Sequence, residues 1–91
     1  MEIIGKVKHI LPITGGKSAK GLRWINQDVV IQTLGDYPKH ICLQFRGSLI
    51  RQVSTLQTGK KYLFHFDIEA RKWQGKYFNT ITCRAVSFLK E

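Results

Sequence analysis

The sequence has 91 residues, enough for one domain over residues 1–91, and 15 Lys and Arg against 6 Asp and Glu give it a formal charge of +9. A domain this small buries only about 60–68% of the surface of its unfolded chain, and its excess charge costs stability by self-repulsion, which points to a polyanionic partner. No stretch of about 18 apolar residues and no apolar leader occurs, so neither membrane spanning nor export is indicated and a cytoplasmic location is expected.

Residues 2–11 carry β-branched side chains in partial alternation and predict a first strand. Gly5 within it marks a bend or a close backbone approach. From Pro12 to Gly21 the chain is turn-rich and basic, which predicts a flexible loop. Leu22 to Leu34 reads as a long second strand with Trp24 near its start. Gly35 to Pro38 is a tight connection, since Pro38 lacks the N–H that a central ladder requires.

His40 to Arg46 has the cleanest alternation: Ile41, Leu43 and Phe45 point one way, and Cys42, Gln44 and Arg46 the other. Over Gly47–Thr58, Leu49, Ile50, Val53 and Leu56 recur at near-helical spacing and predict one short helix, ended by Gly59. Lys60 to Ala70 returns to period two, with Tyr62, Phe64, Phe66 and Ile68 in the core row. Arg71 to Lys76 is a polar turn around Gln74–Gly75. It leads to a last strand, Tyr77 to Leu89, whose phase changes near Val86 as a bulge would change it.

Three strands, a short helix and two strands are the order of an all-β, five-stranded OB-fold barrel with one short helix between strands three and four. Closure also removes the unprotected edges of so small a sheet. An SH3-like barrel is the nearest rival, but its strands are shorter and it usually lacks the central helix.

Several segments carry a resemblance beyond this order: Met1–Val7, Ile10-Leu11-Pro12, Lys20-Gly21-Leu22-Arg23-Trp24, Asp36-Tyr37-Pro38-Lys39 before His40–Leu43, Phe64–Ile68, and Gly75–Thr80. Over almost its full length the chain resembles a small family of single-stranded-DNA-binding-like OB-fold proteins of uncharacterised function, found in Bacteroidetes and their phages. More distantly it resembles the core of bacterial single-stranded DNA-binding protein. The resemblance implies an OB barrel that binds single-stranded nucleic acid. The sequence closes on Lys90–Glu91 without a glycine-rich linker or an acidic tail for recruiting other proteins. A narrower phage or mobile-element role is therefore expected in place of a housekeeping hub.

An OB surface takes single strands across its second and third strands, between the first loop and the last hairpin. The first loop offers Lys17 and Lys20, followed by Arg23 and Trp24. The hairpin offers Arg71, Lys72, Trp73 and Lys76, with Tyr77 and Phe78 alongside. Cations meet phosphates and flat rings stack on bases, each stack contributing about 1–3 kcal/mol. Trp73 stacks on a base or instead covers the barrel end or an interface, and Trp24 divides between binding and core. Tyr37, beside Pro38 and Lys39, stacks or covers the barrel edge. Arg46 and Arg84 reach phosphates or pair with Asp28, Asp67 or Glu69. One of Tyr77 and Phe78 faces away from the core, and Phe78 is taken as the platform.

The expected partner is single-stranded DNA without sequence preference, with RNA or a protein-docking role as alternatives and a homodimer favoured by small size. Sequence-specific duplex reading lacks a basic, well-formed helix or a zinc-finger pattern. Cys42 and Cys83 read as two buried, reduced thiols, with a disulfide between facing strands as the alternative, and no metal or cofactor is indicated. His9, His40 and His65 fall on three strands, and His65 with Asp67 lacks a converging nucleophile, Ser54 and Ser87 not being evidently placed for it. Gly15-Gly16-Lys17-Ser18 lacks the spacing and following helix of a phosphate loop. No enzymatic role is expected.

Overall fold

The computed structural model describes residues 1–17 and 19–89; Ser18 of the first loop and the Lys90–Glu91 end, where an acidic tail was expected to be lacking, lie outside the described residues. The strands are β1 (Glu2–Ile10), β2 (Thr14–Lys17), β3 (Arg23–Thr33), β4 (His40–Arg46), β5 (Lys61–Trp73) and β6 (Lys76–Phe88), with α1 (Ile50–Val53) between β4 and β5. The sheet order is β1-β5-β6-β4-β3-β2, and a further β1–β3 pairing closes β1, β3, β4, β5 and β6 into a ring. This is the OB topology expected from the order of elements. The ring is thinnest between β4 and β6, which meet in parallel at the single register pair Gln44↔Thr82.

Alternation decides what the ring encloses. Odd-numbered side chains of β1, β3 and β4 turn inward, so Val7, Val29, Ile31, Leu43 and Phe45 are fully buried together with Phe64 of β5 and Cys83 of β6. Ile3, Ile41, Phe66, Ile81 and Val86 pack around them. Full burial of such an aliphatic or aromatic side chain contributes about 1.5–3 kcal/mol. Closure sits on β1, where Gly5 pairs with Thr33 on one side and Tyr62 on the other. A Cβ at Gly5 would lie 2.7 Å from Cδ1 of the buried Ile31, so the expected close approach is real.

The structure corrects the sequence reading in four places. The first loop contains an ordered strand: Thr14–Lys17 pairs with Arg23–Asn26 as β2. Two glycines, with no side chains to alternate, conceal that pattern. The helix is shorter than predicted, a 3₁₀ turn over Gly47–Leu49 running into the four residues of α1, with no side-chain cap on either. Ser54 and Thr55 instead turn their hydroxyls onto the carbonyls of Arg51 and Gln52, at 2.7 and 2.6 Å, which competes with helix continuation. Val53 and Leu56 still close the end of the core.

The last hairpin is the third correction. β5 runs on through Trp73 and β6 begins at Lys76, so only Gln74 and Gly75 turn. Both have positive φ, 50° and 77°, the type I′ geometry that matches strand twist. The hairpin therefore leaves the core as a two-stranded ribbon, and Ile68, predicted in the core row, is 47% exposed. The phase change in β6 is a bulge: His65 lies opposite Ala85 but Phe66 opposite Cys83, so Arg84 is the extra residue of the strand ladder. The fourth correction is Cys42, which is exposed on the outer face while Cys83 is buried inside, both as free thiols.

Candidate nucleic-acid interface

The alternation that fills the core with odd residues of β3 and β4 puts Trp24, Asn26, Gln44 and Arg46 on the outer face. Asn26 lies opposite Arg46 and Asp28 opposite Gln44. The outer row of the ribbon joins them: Arg71 and Trp73 on β5 stand beside Phe78 and Lys76 on β6. Trp24, Asn26, Gln44, Arg46, Arg71 and Thr80 line one groove of about 450 Å³. Two arginines and an indole thus converge from three strands that are distant in sequence.

Trp24 is 46% exposed, and its position is set by β2. Gly16 lies opposite it, and a Cβ there would come 2.9 Å from Cζ2 of the indole. The bare backbone of Gly16 is a shelf under the ring, which keeps the ring's remaining surface open to the groove. Arg46 donates from Nε to Oε1 of Gln44 at 2.8 Å, which orients the guanidinium and leaves its terminal NH₂ groups available. Among the described residues Arg71 has no hydrogen-bonding or acidic partner; the ion pairs there are His65–Glu2 and Arg84–Asp67. An unpaired guanidinium in a groove is a ready phosphate ligand.

The remaining predicted residues divide. Trp73, 64% exposed, and Phe78, 51% exposed, lie on the groove face of the ribbon, with Lys76 opposite Trp73. Lys72 and Tyr77 occupy the other face, with Lys72 Nζ 5.9 Å from the Tyr77 ring centroid. Lys17 and Arg23 pair across β2 and β3 one step out of phase with Trp24, so they face away from the indole; Lys20 is exposed in the connection between those strands. Arg84 is engaged, with Nε 2.6 Å from Asp67 Oδ2. Tyr37, 88% exposed, and Lys39 belong to the β3–β4 turn, at the far end of a ladder of six residue steps, about 20 Å from Arg46.

Sequence reasoning missed Asn26, Gln44 and Thr80, which supply the polar floor, and Gly16 as the shelf. Period two places Gln44 on the face of Arg46, but the pairing that brings Thr80 beside it is not written locally. It also missed a polar cluster joining β1, β5 and β6. His65 Nδ1 lies 3.2 Å from Glu2 Oε1, and its Nε2 lies 3.2 Å from Ser87 Oγ. Ser87, not Asp67, therefore completes the His65 cluster. A nucleophilic role would also need oxyanion donors and a substrate cleft beside it. A depression of about 720 Å³ lies near the end of the helical segment between Gln57, Lys60 and Phe88 and shares no residue with the groove.

The outer groove sits on a chain with recognisable relatives. The chain belongs to the family described as domain of unknown function (DUF3127), whose model matches residues 2–86. Its fold is similar to the crystal structure of the mitochondrial single-stranded DNA binding protein Rim1 from S. cerevisiae (Form 1), with a TM-score of 0.72 and 14% identity over 99% of this chain and 94% of that one. At that identity the likeness is one of fold. No curated protein matches the chain by sequence.

Proposed function

We propose that this DUF3127 member binds single-stranded DNA, largely without sequence preference, in the groove between Trp24 and the β5–β6 ribbon. The observation that carries the reading is the convergence of an exposed indole with two arginines that lack acidic partners among the described residues, on the outer face of an OB-type ring. Stacking rings read no sequence, because every base has a π-face, and arginines there meet the backbone. The fold neighbour's title as a single-stranded DNA binding protein supports the same reading. A homodimer fits it too, since a chain this small leaves Ile13 and Ile25 exposed. The resemblance to phage-type families favours work in replication, recombination or repair, in the cytoplasm.

The test is fluorescence anisotropy with labelled oligo-dT, the matching RNA, and duplex of equal length. Binding of the single strand is expected at micromolar concentration or tighter, weakening with salt at a log–log slope of about −0.7 per phosphate contacted. Trp73→Ala is expected to cost about 1–3 kcal/mol of that affinity and little thermal stability. No binding at low salt overturns the proposal, and equal affinity for duplex reduces it to charge attraction.

A further inference from the structure

Lys6 and Lys61 face each other directly across the β1–β5 ladder. Two outward-pointing ammonium groups at opposed positions repel, and a sheet normally avoids the arrangement. Among the described residues neither is in an ion pair, and Asp36 of the adjoining turn forms none with them. They line one small depression, about 230 Å³, with Gln32 and the Gly35–Pro38 turn.

The register carries that pair towards the groove. Lys61 pairs with Lys6, Lys6 with Gln32, and Gln32 with His40, a polar row across four strands and about 14 Å. From His40 the outer face of β4 runs about 20 Å back to Arg46. A depression of about 380 Å³ containing His40, Cys42, Gln44 and Thr80 lies along it and adjoins the groove at Gln44 and Thr80. Asp28 lines this stretch and Glu69 stands opposite Thr80 beside it, so the middle favours bases and the two ends favour phosphates.

We infer that Lys6 and Lys61 form a second phosphate-binding station for the same single strand, reached from the groove along the outer face of β4. The inference rests on the single-strand reading above and extends it, by assigning a path with cations at both ends and a longer footprint than the groove alone. An anion between the two ammonium groups also removes their repulsion, which is the physical reason for the opposed pair.

The test compares oligo-dT of about four nucleotides, which fills the groove alone, with one of about twelve, which spans both stations. In Lys6→Gln/Lys61→Gln, the short strand is expected to bind as it does to the unmodified protein. The long strand is expected to bind about tenfold or more weakly at low salt, with a salt slope shallower by about 1.4, two phosphate contacts' worth. Thermal stability of the free double variant should stay level or rise, because the repulsion is gone, and Lys6→Arg/Lys61→Arg should restore the long-strand affinity. Unchanged long-strand binding, or equal losses for both lengths, overturns the station. Failure of the unmodified protein to bind either length overturns the groove reading itself.

Discussion

Cys42 and Cys83 lie on neighbouring strands and opposite faces, which keeps their sulfurs from bridging. Burial, with the Asp28 carboxylate nearby, raises the Cys42 thiol above its ordinary value, and deeper burial pushes Cys83 up to about 11. Both are therefore thiols and not thiolates near neutral pH, and only the thiolate attacks an alkylating agent. Native-state alkylation followed by mass spectrometry should modify Cys42 slowly at about pH 8 and faster as pH rises, and Cys83 only on unfolding. Because the folded Cys83 titrates above the unfolded one, the stability it contributes is complete below about pH 9 and is lost as pH climbs towards about 11. Cys83→Ala should flatten that alkaline limb in urea titrations. That Cys42 faces out is already legible in the alternation of His40–Arg46, yet cysteine's usual burial argues the other way. Alternation is the better guide because it is fixed by backbone geometry.

At the scale of elements, two glycines do different work. Gly5 lets the ring close against Ile31, whose side chain is fully buried and has no free volume to retreat into. Gly16 lets β2 lie beneath Trp24, whose ring is partly in solvent and free to shift. Gly5→Ala should therefore destabilise by about 1–3 kcal/mol, as overpacking does, lowering Tm by about 4–8 °C per kcal/mol while leaving the affinity of the folded fraction for oligo-dT unchanged. Gly16→Ala should do the reverse, altering tryptophan emission and weakening oligo-dT binding with Tm nearly constant. Differential scanning fluorimetry beside anisotropy separates the two. The role of Gly5 is visible in the sequence because it interrupts a β-branched run. The role of Gly16 is hidden, since a Gly-Gly pair in a basic loop reads as flexibility until its pairing with Trp24 is known.

For the molecule as a whole, the charge of +9 and the cation-bearing outer face set a balance between binding a polyanion and self-association. The exposed Ile13 and Ile25 favour a second copy, and charge repulsion opposes it. Sedimentation velocity is expected to show a homodimer in the micromolar range at moderate salt, where repulsion is screened over about 10 Å. A monomer at every concentration and salt would remove the dimer from the proposal. The amino-acid sequence by itself determined the all-β class, the order of the five ring strands and the helical segment, the inward rows of β3 and β4, and the positive charge. Each of these is local, carried by period-two alternation, turn residues or composition. Only the tertiary structure decided that the ribbon outruns the core, that Arg84 is engaged by Asp67 while Arg71 has no partner among the described residues, and that Trp24, Arg46 and Arg71 share one groove. Those facts depend on cross-strand register between segments far apart in the chain, and register is fixed by the closure of the ring.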